Sequence, residues 1–251
     1  MKTNGRVWIA GAVAGALLLG ILAAGCKTGG GSKKDEAATP AMMAQFRPAT
    51  PLSRLHFGTG SYSNLFAPSS YAVWADQSVN TLRMSAAQEA GETLEPELAA
   101  EAEKIAQDYL IIECHLDSEF GDMSIAYDAV GLRGVDVYLE TPDGKKVPPI
   151  QLSIGSHAAE EQRDALKLFG RTNLAIFARR DLWLNAPIAA EGLPSVRLVF
   201  EAQNSTFYFE WPASPPGQMA WVPAEAEKSE VLKTGFREFH QRVRTLAHIF
   251  D

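Results

Sequence analysis

The chain has 251 residues, with 23 lysine and arginine residues against 30 aspartate and glutamate, and a formal net charge of −7. An acidic balance of this kind excludes nucleic acid as an expected partner and argues against broad electrostatic adhesion to anionic lipid. The two cysteines, Cys26 and Cys114, cannot build a disulfide framework, so stability must come from a buried core, for which the length is ample.

The N-terminus is the most informative stretch. Met1 to Arg6 carries Lys2 and Arg6 and no acid, and an apolar run, Val7 to Ala24, follows. A basic start, an apolar centre and small residues at a cleavage point describe a secretory signal peptide over residues 1–25. The run sits at the lower limit for crossing a bilayer, which takes roughly 17–25 apolar residues, so an uncleaved membrane anchor is the other reading. Both readings export the rest of the chain. Ala23-Ala24-Gly25-Cys26 resembles the lipobox of bacterial lipoproteins, with Ala23 where that family more often has Leu. The resemblance implies cleavage before Cys26, acyl chains such as palmitate on Cys26, and membrane attachment through that lipid. Lys27 after the cysteine, in place of Asp, implies the outer membrane facing the periplasm over the inner membrane. Loss of residues 1–25 removes two basic residues and no acid, which takes the net charge of −7 to about −9. Cys114 then has no disulfide partner within the chain.

Residues 26–53 read as the lipidated cysteine and a flexible tether rich in Gly, Ala, Ser, Thr, Pro and charge, with little to bury. About 27 residues of flexible coil reach ~30 Å on average, enough to hold a body off the headgroups. Residues 54–251 read as one globular domain. From 55 to 82 aromatics mix with turn formers, which predicts irregular or short extended structure. "EPELAAEAEKIAQDY" predicts a helix ending near Tyr109, with Pro96 in the first turn and Leu98, Ala102, Ile105 and Tyr109 on one stripe. The period then becomes two. Leu110, Ile112, Cys114 and Leu116 share one strand face; Ile111, Glu113, His115 and Asp117 share the other.

"VDVYLE" is a second alternating strand, "TPDGKK" a turn, and "VPPIQLSI" its expected partner, bent or at an edge because of Pro148-Pro149. "SHAAEEQRDALKLF" predicts a short helix with Ser156 as N-cap, and "TNLAIFAR" another strand. "SVRLVFEAQNSTFYFEW" is the clearest hairpin, with Val196, Leu198 and Phe200 facing as Phe207, Phe209 and Trp211 do. After a Pro-rich connector, residues 225–250 predict one amphipathic helix. Its seam of Leu232, Phe236, Phe239, Val243, Leu246 and Phe250 is suited to docking on the domain or to self-association. Together these elements predict a mainly β, α+β domain: an antiparallel β-sandwich, immunoglobulin-like in style, with a helix before the sheet and a C-terminal amphipathic helix.

Chemistry-bearing residues concentrate in "LIIECHLD". Alternation separates Cys114 from His115, so strand geometry disfavours a thiolate–imidazole pair within this strand. Glu113, His115 and Asp117 share a face and are the candidate metal ligands, with Glu119 or Asp122 as possible helpers. The competing reading is the wet face of a half-buried strand, with Glu113 and Asp117 paired to basic neighbours. "GTGSYS" and "SIGSH" do not match a nucleophile elbow, and no phosphate loop, dinucleotide fingerprint or calcium loop is present. His56, His157, His240 and His248 are scattered, with His240, Arg244 and His248 along a wet helix flank. Trp74, Tyr71, Trp183, Trp211 and Trp221 are suited to core packing or to lining a glycan or peptide groove. The expected function is a non-catalytic interaction or assembly component at the cell envelope, without a cofactor and with an envelope protein as partner. The alternatives are a metal-dependent hydrolase using the Glu113/His115/Asp117 face, and a carrier for an apolar ligand or an exported polypeptide.

Overall fold

A computed structural model of the chain describes residues 41–42, 46–58, 66–118, 132, 134–154, 159–163, 166–179, 182–184, 194–202, 205–214 and 221–247. The expected signal peptide, Cys26, Glu119, Asp122, Ser156, His157, His248 and Phe250 lie outside the described residues. In chain order the elements are β1 (Ala41–Met42), β2 (Leu52–Phe57), β3 (Tyr71–Trp74), α1 (Gln77–Glu89), α2 (Pro96–Asp108), β4 (Tyr109–Ser118), β5 (Asp136–Glu140) and β6 (Lys146–Val147). They continue with β7 (Gln151–Ile154), β8 (Ala159–Arg163), β9 (Leu166–Ala178), β10 (Trp183–Leu184), β11 (Ser195–Ala202), β12 (Ser205–Pro212), α3 (Glu225–Val231) and α4 (Phe236–Ala247).

Ten strands join one antiparallel sheet in the order β6-β5-β11-β12-β2-β3-β4-β9-β7, with β8 also paired to β9, while β1 and β10 pair separately. The α+β expectation therefore stands in its coarse form, but the immunoglobulin-style sandwich does not. The reason lies in β2. Its first half pairs with β3 (Leu52↔Val73) and its second with β12 (Leu55↔Phe209), so one strand joins what a sandwich would keep as two sheets. The sheet instead curls on itself. Its inner face closes one core in which Trp74, Ile112 and Phe177 from one half meet Phe200, Phe209 and Trp211 from the other. The Trp74 and Trp211 rings meet edge to face at 5.5 Å, and the Trp211 indole N–H donates to the Pro51 carbonyl at 3.0 Å. Cys114 lies in this core, where burial pushes its thiol pKa up.

The outer face of the β3–β4–β9 half is covered by helices. Val79 of α1, Val231 of α3, and Phe239, Val243 and Leu246 of α4 pack on Tyr71, Val73, Ile111, Leu174 and Ile176. Each fully buried large apolar side chain contributes on the order of 1.5–3 kcal/mol. The outer face of the other half carries part-exposed polar side chains, including an Arg197–Glu210 ion pair at 3.0 Å.

Several boundaries differ from the sequence reading. The packed body begins before residue 54: Phe46 is buried against Trp74 at 5.5 Å, and Pro48 bridges to Ala213. Within 55–82 lie β3 and α1, whose N-terminus is capped by Asp76 accepting from the Ser78 and Val79 amides. Within the expected helix over "SHAAEEQRDALKLF", the described residues 159–163 and 166–169 are strand instead, β8 pairing antiparallel with the start of β9. β9 is templated along the whole length of β4, from Tyr109↔Ala178 to Ser118↔Phe169, and β8 then pairs with its extension (Glu161↔Leu168). Long-range pairing overrides the helix propensity of this stretch. "VPPIQLSI" divides at Pro148-Pro149. Lys146 and Val147 pair with β5, and Gln151 to Ile154 pair with β9.

The single C-terminal helix is two helices, broken over Leu232–Gly235. The apolar spacing runs unbroken through the break, which hides it in the sequence. Gly235 weakens helical continuity by about 1 kcal/mol relative to Ala, and Thr234 leaves the helical path to reach a buried carboxylate. Of the seam residues, Phe236, Phe239, Val243 and Leu246 are buried within the chain itself, and Leu232 is the part-exposed C-cap of α3. His240 is buried as well, stacked on Phe236, and does not sit on a wet flank; Arg244 is the exposed member, paired with Glu101 at 3.4 Å.

Candidate functional site

The outer face of β4 is not solvated where it was expected to be. The helices close over Ile111 and Glu113, and the Glu113 side chain has no exposure. Glu113 Oε1 accepts from Arg83 Nη2 at 3.2 Å, His115 Nε2 at 2.6 Å and Thr234 Oγ1 at 2.8 Å. Because a carboxylate only accepts, Nε2 of His115 is the protonated nitrogen, and in the neutral ring Nδ1 accepts from Thr172 Oγ1 at 3.1 Å. The Tyr71 ring stacks on the imidazole at 4.3 Å. Arg83 is also fully buried. Its Nε donates to the Val231 carbonyl at the end of α3, at 3.0 Å, and its guanidinium lies 4.6 Å from the Phe239 ring centroid.

Electrostatics follow from this geometry. Burial pushes the Glu113 carboxyl pKa up, but the Arg83 charge and the hydrogen bonds from His115 and Thr234 outweigh it and hold the group below the usual carboxylate range. The pair is thus an ionised buried bridge. Arg83 stabilises it and caps the C-terminal dipole of α3 at the same time. Among the described residues, Glu113 Oε2 and Arg83 Nη1 remain buried without a hydrogen-bond partner.

The three sequence-selected residues do not act together. Glu113 and His115 meet, whereas Asp117 turns to a clasp on residues 66–70. Its Oδ2 accepts from Ser69 Oγ at 2.8 Å, and its amide donates to Ser70 Oγ at 2.9 Å. Among the described residues no three His, Cys, Asp or Glu side chains are arranged to hold a metal ion. The chain Thr172–His115–Glu113 has the order hydroxyl, imidazole, carboxylate that activates a nucleophile. Neither of the two cavities described below is lined by these residues, and the His115 side chain is only 13% exposed.

Sequence reasoning missed Arg83, Thr234 and Thr172. Arg83 had a legible signal: Val79, Arg83 and Ala87 form one i, i+4 row, so the charge sits in the apolar stripe of its own helix. Thr234-Gly235 inside a continuous seam was the second signal.

Two cavities border the helices. One, of about 10 Å³ beneath α4, holds nothing larger than a water and is lined by Asn80, Phe239 and His240. The other is a groove of about 720 Å³. Buried Phe46 and Trp74 form its floor and part-exposed Trp221 supplies its aromatic surface; Gln77 and Thr81 of α1 and Glu103 and Gln107 of α2 supply helical walls, and Arg47 and Arg179 also line it. Two of the five aromatics singled out in the sequence, Trp74 and Trp221, thus meet in one groove. Tyr71 stacks on His115, Trp211 is core, and the Trp183 side chain lies outside what is described. Compared with protein-family models, curated proteins and solved structures, the chain matches none.

Proposed function

We propose that the chain is a lipid-anchored cell-envelope protein whose folded body is a non-catalytic interaction component. The reading is carried by one observation: a basic start, an apolar run and Ala23-Ala24-Gly25-Cys26 precede a body with its own core. Among the described residues no helix is long and apolar enough to cross a membrane. More than one acyl chain on Cys26 supplies stable attachment, since a single chain holds only marginally. The side chains best suited to catalysis, Glu113 and His115, are engaged with Arg83, Thr234, Thr172 and Tyr71, an arrangement that serves to dock α3 and α4. The lysine after Cys26 favours the outer membrane, facing the periplasm.

Intact-mass spectrometry of the protein extracted from membranes tests the reading. The expected species begins at Cys26 and carries a thioether-linked diacylglyceryl group. A full-length chain with an unmodified Cys26 in the cytosol sinks the anchoring. A stoichiometric transition metal that is lost on Glu113→Gln plus His115→Gln would favour a metal-dependent hydrolase over a binding component.

A further inference from the structure

We propose that the groove between α1, α2 and the entry segment binds a neutral oligosaccharide; this rests on the reading of the body as a binding component and names its ligand class. The volume, about 720 Å³, falls in the range of sites that enclose a small ligand or a few sugar units.

The side chains around the groove divide into committed and free. The Asp76 carboxylate is spent on the α1 amides, Thr81 Oγ1 donates to the Gln77 carbonyl, and Arg179 Nε donates to the Ala106 and Tyr109 carbonyls that end α2. Arg47, Gln77, Glu103 and Gln107 are exposed, and no side-chain hydrogen bond or ion pair ties them to other described residues, although the Arg47 and Gln77 carbonyls accept from Ser214 and Thr81. They offer one positive charge, one negative charge and two amides, each of which both donates and accepts. Such a set presents planar hydrogen-bonding groups without a net ionic demand. Trp221, part-exposed, supplies an aromatic surface beside them. Alternating apolar C–H faces and hydroxyl edges are what a sugar chain brings to such a mixture.

Competing ligands fit less well. An acyl chain would bury Arg47 and Glu103 without partners, which is costly. An anion would meet the Glu103 carboxylate as well as Arg47 in the same groove. A polypeptide that binds by adding a strand finds no free edge here, because β3, which carries Trp74, is paired on both sides, to β2 and β4. The helical walls offer side chains in place of backbone.

The full chain in a sugar-free detergent is titrated with cellotetraose and with chitotetraose, both neutral, and with an uncharged Ala/Ser/Gly hexapeptide. Tryptophan fluorescence and calorimetry read the binding. Saturable binding of at least one sugar is expected, weakened about tenfold or more by Trp221→Ala, which also loses packing on the helix-covered core, and by the Gln77→Ala, Gln107→Ala pair, whose melting temperature is unchanged. Absence of saturable binding by either sugar up to about 10 mM overturns the proposal. So does sugar binding unaffected by those substitutions, or hexapeptide binding that displaces the sugar. Failure to bind sugar by a protein whose Cys26 is lipidated overturns the ligand class alone. Sugar binding by a protein that carries no lipid overturns the anchoring alone.

Discussion

Glu113 and His115, two positions apart on β4, meet at 2.6 Å between Oε1 and Nε2, and the carboxylate is wholly buried while the imidazole keeps a narrow opening to solvent. Alternate residues on a strand project side by side, so the contact is local in origin. What turns it into a docking point is non-local: Arg83 arrives from α1 and Thr234 from the α3–α4 break.

A double-substitution cycle tests that point. Arg83→Met leaves Glu113 buried without its counter-charge, and Glu113→Gln does the same to Arg83. Each is expected to destabilise the fold by about 3–5 kcal/mol. The double variant is expected to cost clearly less than the sum, because neither charge is then stranded. Urea unfolding measures all three; full additivity would show that the two groups do not act as a pair.

Stability should also fall in acid through Glu113. Its folded pKa is depressed, so the unfolded chain binds the proton first. The contribution is present above the unfolded carboxyl value, about 4.3, and is lost progressively as pH falls below that toward the folded value. Unfolding free energies measured from pH 6 down to 2.5 should drop more steeply for the natural chain than for Glu113→Gln. Parallel curves would assign the acid sensitivity to other carboxylates.

Cys114 provides a probe of the inner core. It is 1% exposed among Ile112, Leu116 and Phe177, and burial raises its thiol pKa. Thiolate is the reactive form, so alkylation by iodoacetamide at pH 8 should be far slower than for a free thiol and should follow global unfolding. Rapid labelling at Cys114 of the folded chain, located by peptide mapping apart from Cys26, would mean that the curled sheet opens locally.

How much of this was legible beforehand depends on the range over which each feature is decided. The β11–β12 hairpin, the β5 strand and its Pro-Asp-Gly turn, α2 with Pro96 at its start and the inner-facing row of β4 were readable, because alternation, turn chemistry and caps act over a few residues. The same local signals misread 156–169 as helix, since its described residues, 159–163 and 166–169, are held as strands by the β8–β9 pairing and, at Phe169, by β4. They also misread 225–250 as one helix, since the apolar spacing continues through Leu232–Gly235.

The sequence by itself determined the composition of the two faces of β4, the apolar stripes of the helices and the export-like character of the N-terminus, because each is a property of neighbouring residues. Only the tertiary structure decided that β2 would join both halves into a single curled sheet, that the polar face of β4 would be roofed by α1, α3 and α4, and that Glu113 would find Arg83 thirty residues earlier in the chain. Those outcomes depend on which distant surfaces bury one another. A buried charge is tolerable only once its partner has been brought to it.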